Sequence, residues 1–97
     1  MNDAQLKTAQ CCQAGAVKAK ILVCHGALDP HVLMAQVNDF IVEMTDAATD
    51  WQLIVYGGAL HGFTHEGDSP LPGVAYNALA DARSGVAIRD FLTEVFT

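Results

Sequence analysis

The sequence predicts a parallel α/β fold, and three features of its 97 residues carry that expectation. Two short apolar runs, Ile21–Cys24 and Trp51–Tyr56, are each closed by glycine, at Gly26 and at Gly57-Gly58. The stretch between them repeats its apolar residues at helical spacing. Each run is followed by a residue suited to acid–base chemistry, Asp29 after the first and His61 after the second. Parallel strands that deliver polar side chains just past their C-terminal ends are how an α/β protein assembles a site.

Each element has its own reason. Residues 1–19 carry no clear period, and Gln5, Gln10, Gln13 and Gly15 mark them as a loop or an arm. Ile21–Cys24 is continuously apolar rather than alternating, which suits a strand covered on both faces. Asp29-Pro30-His31 reads as a turn in which Pro30 sets the backbone for helix entry. A helix follows over about 33–47, with Met34, Val37, Ile41, Met44 and Ala48 on one stripe and Asp39, Glu43 and Asp46 off it. Trp51–Tyr56 is the second strand, so strand, helix and strand form a βαβ unit with a right-handed crossover. Residues 57–74, rich in glycine and proline, form a loop. Glycines on both sides of His61 leave its backbone free to aim the ring. The last helix is expected over about 75–95. Its apolar residues fall on two opposed sides: Ala75, Leu79, Ala82 and Val86 on one, and Ile88, Phe91, Leu92 and Val95 on the other. The switch falls at Ser84-Gly85, where the helix either breaks or turns to a second body. The whole chain reads as a single domain with no internal repeat.

Composition excludes several classes of function. The net charge is −6, the pI is about 4.8, and the five Lys and Arg are scattered. Nucleic acid needs clustered cations, and an anionic membrane surface needs them too. No apolar run approaches the ~20 residues of a membrane span, and no leader pattern is visible. Cys11, Cys12 and Cys24 are odd in number and two are adjacent, which does not suggest a disulfide framework. A reducing cytoplasm is the expected setting. Hydrophobic residues make up 52% of the chain and the mean hydropathy is +0.25. A small domain has much surface to cover, so this apolar excess suggests part of a larger core, or a protomer that buries a face in a homodimer.

The residues that carry chemistry are few. A carboxylate on one ring nitrogen of a histidine fixes its tautomer, and the other nitrogen can then move a proton. Asp29 and His61 are candidates for those two roles. Asp29 also fits a plain turn or cap residue, and His61 a loop histidine without chemistry. His25 reads as structural, with its ring hydrogen-bonded near the strand end. His61, His65 and Glu66 offer donors of the kind zinc takes, but a fourth ligand is lacking and neither metal nor cofactor is expected. Adjacent Cys11-Cys12 lacks the C-x-x-C spacing of a metal or redox motif. No Gly-x-Ser-x-Gly or Gly-x-Cys-x-Gly, the signature of a nucleophile elbow, occurs in the chain. Cys24 lies inside a strand without the flanking glycines, and neither Ser69 nor Ser84 fits the pattern.

Three stretches carry a family resemblance. They are Ile21-Leu-Val-Cys-His-Gly-Ala-Leu-Asp29-Pro30, then His61-Gly62-Phe63, then Ala75-Tyr-Asn-Ala-Leu-Ala-Asp-Ala-Arg83-Ser84. From about Leu6 to Phe96 the chain resembles the C-terminal half of a dienelactone hydrolase family protein, an α/β-hydrolase. The resemblance implies a partial α/β-hydrolase fold, the βαβ unit plus a C-terminal helix, with residues 20–97 as that half. It maps the triad acid onto Asp29 and the triad base onto His61. Family members use a cysteine nucleophile on an elbow that has no counterpart here. They also carry an arginine four residues beyond the triad histidine, where this chain has His65. The reading is of a truncated relative without catalysis of its own. The alternatives are a self-association or interaction module, and a hydrolase completed by a partner chain that supplies the nucleophile.

Overall fold

The computed structural model describes residues 18–67, 69 and 71–97. The adjacent pair Cys11-Cys12 and nearly all of the expected arm lie outside them. The described elements are β1 (Lys20–Gly26), α1 (Met34–Asp46), β2 (Asp50–Tyr56) and α2 (Ala78–Val95). The architecture is α/β: β1 and β2 pair in parallel, in step from Lys20 opposite Asp50 to Gly26 opposite Tyr56. Among the described residues the sheet has these two strands alone.

Strand identity follows from composition, since Ile21, Val23, Ile54 and Val55 are β-branched and suit a pleated surface. Lys20 and Asp50 meet at 3.9 Å at the entry end, an exposed ion pair of little energetic weight. α1 starts at Leu33, whose side chain cannot cap. Gln36 takes the task, its Oε1 accepting the Leu33 N–H at 2.8 Å. Val37 and Met44 are the buried members of the expected stripe, Ile41 is half-buried, and Met34 and Ala48 are exposed. The helix ends through Ala48, which takes a left-handed φ of 54° where glycine is the usual occupant. Phe40 meets Trp51 edge-on at 6.1 Å and ties α1 to the second strand.

α2 starts later than expected and removes one of the two alternatives at Ser84-Gly85. It begins at Ala78 rather than Ala75, because the Asn77 side chain accepts the Ala80 N–H at 3.0 Å and caps it there. Asp81 in its first turn suits the positive end of the helix dipole. It also runs unbroken through Ser84-Gly85. Its inward stripe is made of small residues, Ala80 and the fully buried Ser84, followed by half-buried Ala87, Phe91 and Val95. Leu79, Ala82 and Val86 face outward. The first expected apolar side therefore faces outward, while the second is divided: Phe91 and Val95 are half-buried, Ile88 and Leu92 exposed. Tyr56, Ala59, Phe63 and Ala80 form the buried core, with Cys24 and Ile54 packed against it. Tyr56 and Phe63 meet at a centroid distance of 5.5 Å.

The strand ends are drawn together at Gly26. A Cβ built there would stand 2.6 Å from the Ala59 carbonyl oxygen and 2.7 Å from that of Leu60. Only hydrogen fits, so the 59–60 backbone lies directly over the end of β1. Three backbone hydrogen bonds stitch this corner: Ala27 N–H to Tyr56 O, Leu28 N–H to Ala59 O, and Asp29 N–H back to Gly26 O. Gly26→Ala is therefore expected to destabilise the chain by about 1–3 kcal/mol, the usual cost of overpacking. Gly57→Ala, which would meet nothing within 4 Å, should stay within about 0.5 kcal/mol of the parent. Urea denaturation of the two variants side by side checks the contrast.

Candidate functional site

The turn after β1 and the loop after β2 bring Asp29 and His61 into direct contact. Asp29 Oδ2 lies 2.8 Å from His61 Nδ1. The other carboxylate oxygen, Oδ1, accepts the backbone N–H groups of His31 at 2.8 Å and Val32 at 3.0 Å. Asp29 thus makes two kinds of contact with one side chain: Oδ1 closes an Asx-type turn and Oδ2 faces the histidine. The Asp29 side chain is 6% exposed and that of His61 46%.

Burial by itself would raise the Asp29 carboxyl. Its hydrogen bond to His61 and those from the Val32 and His31 N–H groups outweigh that, and hold it below the ordinary 3.8. The carboxylate is ionised at neutral pH and can only accept, so His61 Nδ1 carries the hydrogen. Nε2 of the neutral ring is then the nitrogen with a free lone pair.

His61 is fixed through its backbone as well as its ring. Its N–H donates to the Gly73 carbonyl at 3.1 Å, its carbonyl accepts from Ala75 N–H at 3.3 Å, and it forms a parallel bridge with Val74. Gly62, with φ 63°, lets the chain turn immediately after it. Asn77 N–H donates to Phe63 O at 2.9 Å and joins this loop to the start of α2.

The pair lines a cavity of about 450 Å³ bounded also by Cys24, His25, Phe63, Ser84 and Ile88. A second cavity of about 520 Å³, against Gly67, Val74 and Tyr76, contains neither Asp29 nor His61. Cys24 is half-buried in β1 with its Sγ 4.0 Å from the Tyr56 hydroxyl. Burial raises that phenol above its ordinary value, and the neighbouring Cys24 adds to the rise. Ser84 lies inside α2 and donates to the Asp81 carbonyl at 3.1 Å. Ser69 caps its own turn, its Oγ accepting from Leu71 N–H. Neither serine is hydrogen-bonded to His61. His25 is buried as a structural residue would be. Its Nε2 has no partner among the described residues. His25 is also among the residues that line the cavity. His65 and Glu66 are exposed, and among the described residues no three metal-binding side chains converge. No described helix is long and apolar enough to cross a membrane.

His31 was not singled out by the sequence. Its ring stands edge-on to His61 with centroids 5.2 Å apart, and its Nε2 is 2.8 Å from the Pro72 carbonyl oxygen. That partner lies 41 residues away in the chain, so no local pattern could have flagged it.

An acid and a histidine presented together past the ends of neighbouring parallel strands place the fold with the α/β-hydrolases, in part of their architecture. The chain belongs to the dienelactone hydrolase family, whose model matches residues 5–96. It is 38% identical over 78 residues to the uncharacterized protein K02A2.1 of Caenorhabditis elegans, across 78% of this chain and 49% of that protein. Among solved structures it matches a dienelactone hydrolase-like promiscuous phosphotriesterase, P91, from metagenomic libraries. The TM-score is 0.80 at 38% identity, covering 87% of this chain and 36% of that one. A solved chain named m3DLH matches with a TM-score of 0.79, the same identity and the same coverage. The chain therefore spans about half the length of the worm relative and about a third of the solved ones.

The charge on Asp29 makes the corner pH-dependent. A carboxyl held below its unfolded value adds stability that is complete above the unfolded value. That stability is lost as pH falls through the lowered folded value, so the loss should develop below about pH 4. Asp29→Asn, which has no charge to lose, should lack this component. Urea midpoints of parent and variant between pH 7 and 2.5 test it, and parallel curves for the two would contradict the assignment.

Proposed function

We propose that the chain provides the acid–base half of an ester- or lactone-hydrolysing triad and does not turn substrate over by itself. The observation that carries this is the 2.8 Å contact between Asp29 Oδ2 and His61 Nδ1. In this reading His61 Nε2 takes the proton of a thiol or hydroxyl nucleophile and returns it to the leaving group. Asp29 holds the Nδ1–H tautomer and stabilises the imidazolium that forms. The nucleophile comes from polypeptide other than these 97 residues, which carry no elbow motif. A partner chain is one source. A reducing, cytoplasmic setting suits a thiol in that position.

The test uses a small aliphatic lactone, because exposed imidazoles cleave nitrophenyl esters without any site. The isolated chain should show no turnover above buffer, since loss of a triad nucleophile costs several powers of ten in rate. Turnover that disappears in both Cys24→Ala and His61→Ala would overturn the proposal and make Cys24 the nucleophile.

A second reading, self-association, is favoured by a separate observation. Leu79, Val86 and Leu92 of α2 are 58%, 48% and 46% exposed, and Val55 of β2 is 41% exposed. A two-stranded sheet is marginal alone, and its unpaired edges invite another strand. A homodimer in which the same surface meets itself answers both. Sedimentation equilibrium across the micromolar range should give the dimer mass. A folded monomer throughout that range removes this reading and leaves the first untouched.

A further inference from the structure

The ring of His31 has no part in the chemistry proposed for Asp29 and His61, yet it lies against that pair on two sides. It stands edge-on to the ring of His61, with centroids 5.2 Å apart and the planes at 63°. Its Nε2 is 2.8 Å from Pro72 O. A carbonyl can only accept, so Nε2 carries the hydrogen and donates. Its backbone N–H donates to Asp29 Oδ1. The residue after Pro72 is Gly73, whose carbonyl accepts the His61 backbone N–H at 3.1 Å. The contacts close a circuit: Asp29 to His31, His31 to Pro72, Gly73 to His61, and His61 back to Asp29.

The circuit is tight at Gly73. Its φ is 78°, and a Cβ there would collide with the Pro30 ring and lie 3.6 Å from His31 Nε2. Segment 72–74 is therefore held against the Pro30-His31 turn more closely than a side chain would permit. The His31 ring supplies the one side-chain hydrogen bond between the turn and this segment among the described residues.

We propose that His31 is a positioning residue for His61. Its bond to Pro72 fixes the segment to which the His61 backbone is tied, and with it the direction of His61 Nε2. The proposal rests on the reading of Asp29 and His61 as an acid–base pair.

The experiment separates the two. Long-range proton–nitrogen spectra of the histidine rings are recorded on the 97-residue chain, together with amide exchange at His61. In the parent chain, His61 should show a protonated Nδ1 and an unprotonated Nε2 at pH 8. A mixed or reversed tautomer would overturn the acid–base reading itself. With the parent tautomer in hand, His31→Phe keeps a ring edge beside His61 but has no donor. It should lose the single Nδ1–H signal and speed His61 amide exchange at least tenfold, with the far-ultraviolet spectrum and urea midpoint retained. His31→Gln restores a donor and should recover both signals. Parent-like signals in His31→Phe overturn the proposal. So does a folded His31→Gln that recovers neither. Unfolding of both variants also overturns it, since His31 would then be a structural residue.

Discussion

The close approach of two backbones at Gly26 is the constraint on which the rest of this structure depends. Parallel strands side by side guarantee only that their ends are neighbours. They do not bring the following turns into hydrogen-bonding distance. That happens because the Ala59 and Leu60 carbonyls occupy the space a Cβ on Gly26 would need. Leu28 N–H then reaches Ala59 O, and the two turns become one backbone unit. Asp29 and His61 sit on opposite sides of that seam, and their contact is its consequence.

Within the seam, Asp29 is held as a buried charge because hydrogen-bond donors replace water at both of its oxygens. Two backbone N–H groups and one ring N–H converge on its two oxygens. Burying a carboxylate is costly when it is unpaired, and each charge-assisted bond offsets part of that cost. The same three bonds fix the turn that leads toward α1. A residue that holds the fold and a residue that orients a histidine are here a single side chain. His25 makes the opposite case, since its buried Nε2 is unpartnered among the described residues.

α2 shows how the chain divides its apolar surface. The inner stripe is built from Ala80 and Ser84, small enough for the helix to sit close to Tyr56 and the site cavity. The larger Leu79 and Val86 are turned out. Over this first half of α2, bulky residues outside and small ones inside reverse the order of a helix whose outer face meets solvent. Relatives of which this chain covers 49% and 36% have further polypeptide to place around such a helix.

The sequence by itself determined the α/β class, the two parallel strands, the helix between them and the residues at their ends. It could do so because those features are local: continuous apolar runs, a 3.6-residue period and glycine stops act over a few residues. It marked Asp29 and His61 because their types and strand-end positions are visible one at a time. It left open whether Asp29 meets a turn or a histidine, and only tertiary structure decided that it contacts both, one oxygen each. Packing also decided where the last helix starts. Ala75 continues the apolar pattern, but Asn77 has the side chain that can cap and the contact with Phe63 that fixes the entry. Two apolar sides on that helix were legible. Which of them turns inward was not, since that depends on how small a residue the Tyr56 side of the core demands. His31 was invisible for the same reason. Its partner is a backbone carbonyl remote in the chain, and a carbonyl is present at every residue, so only the fold could choose it.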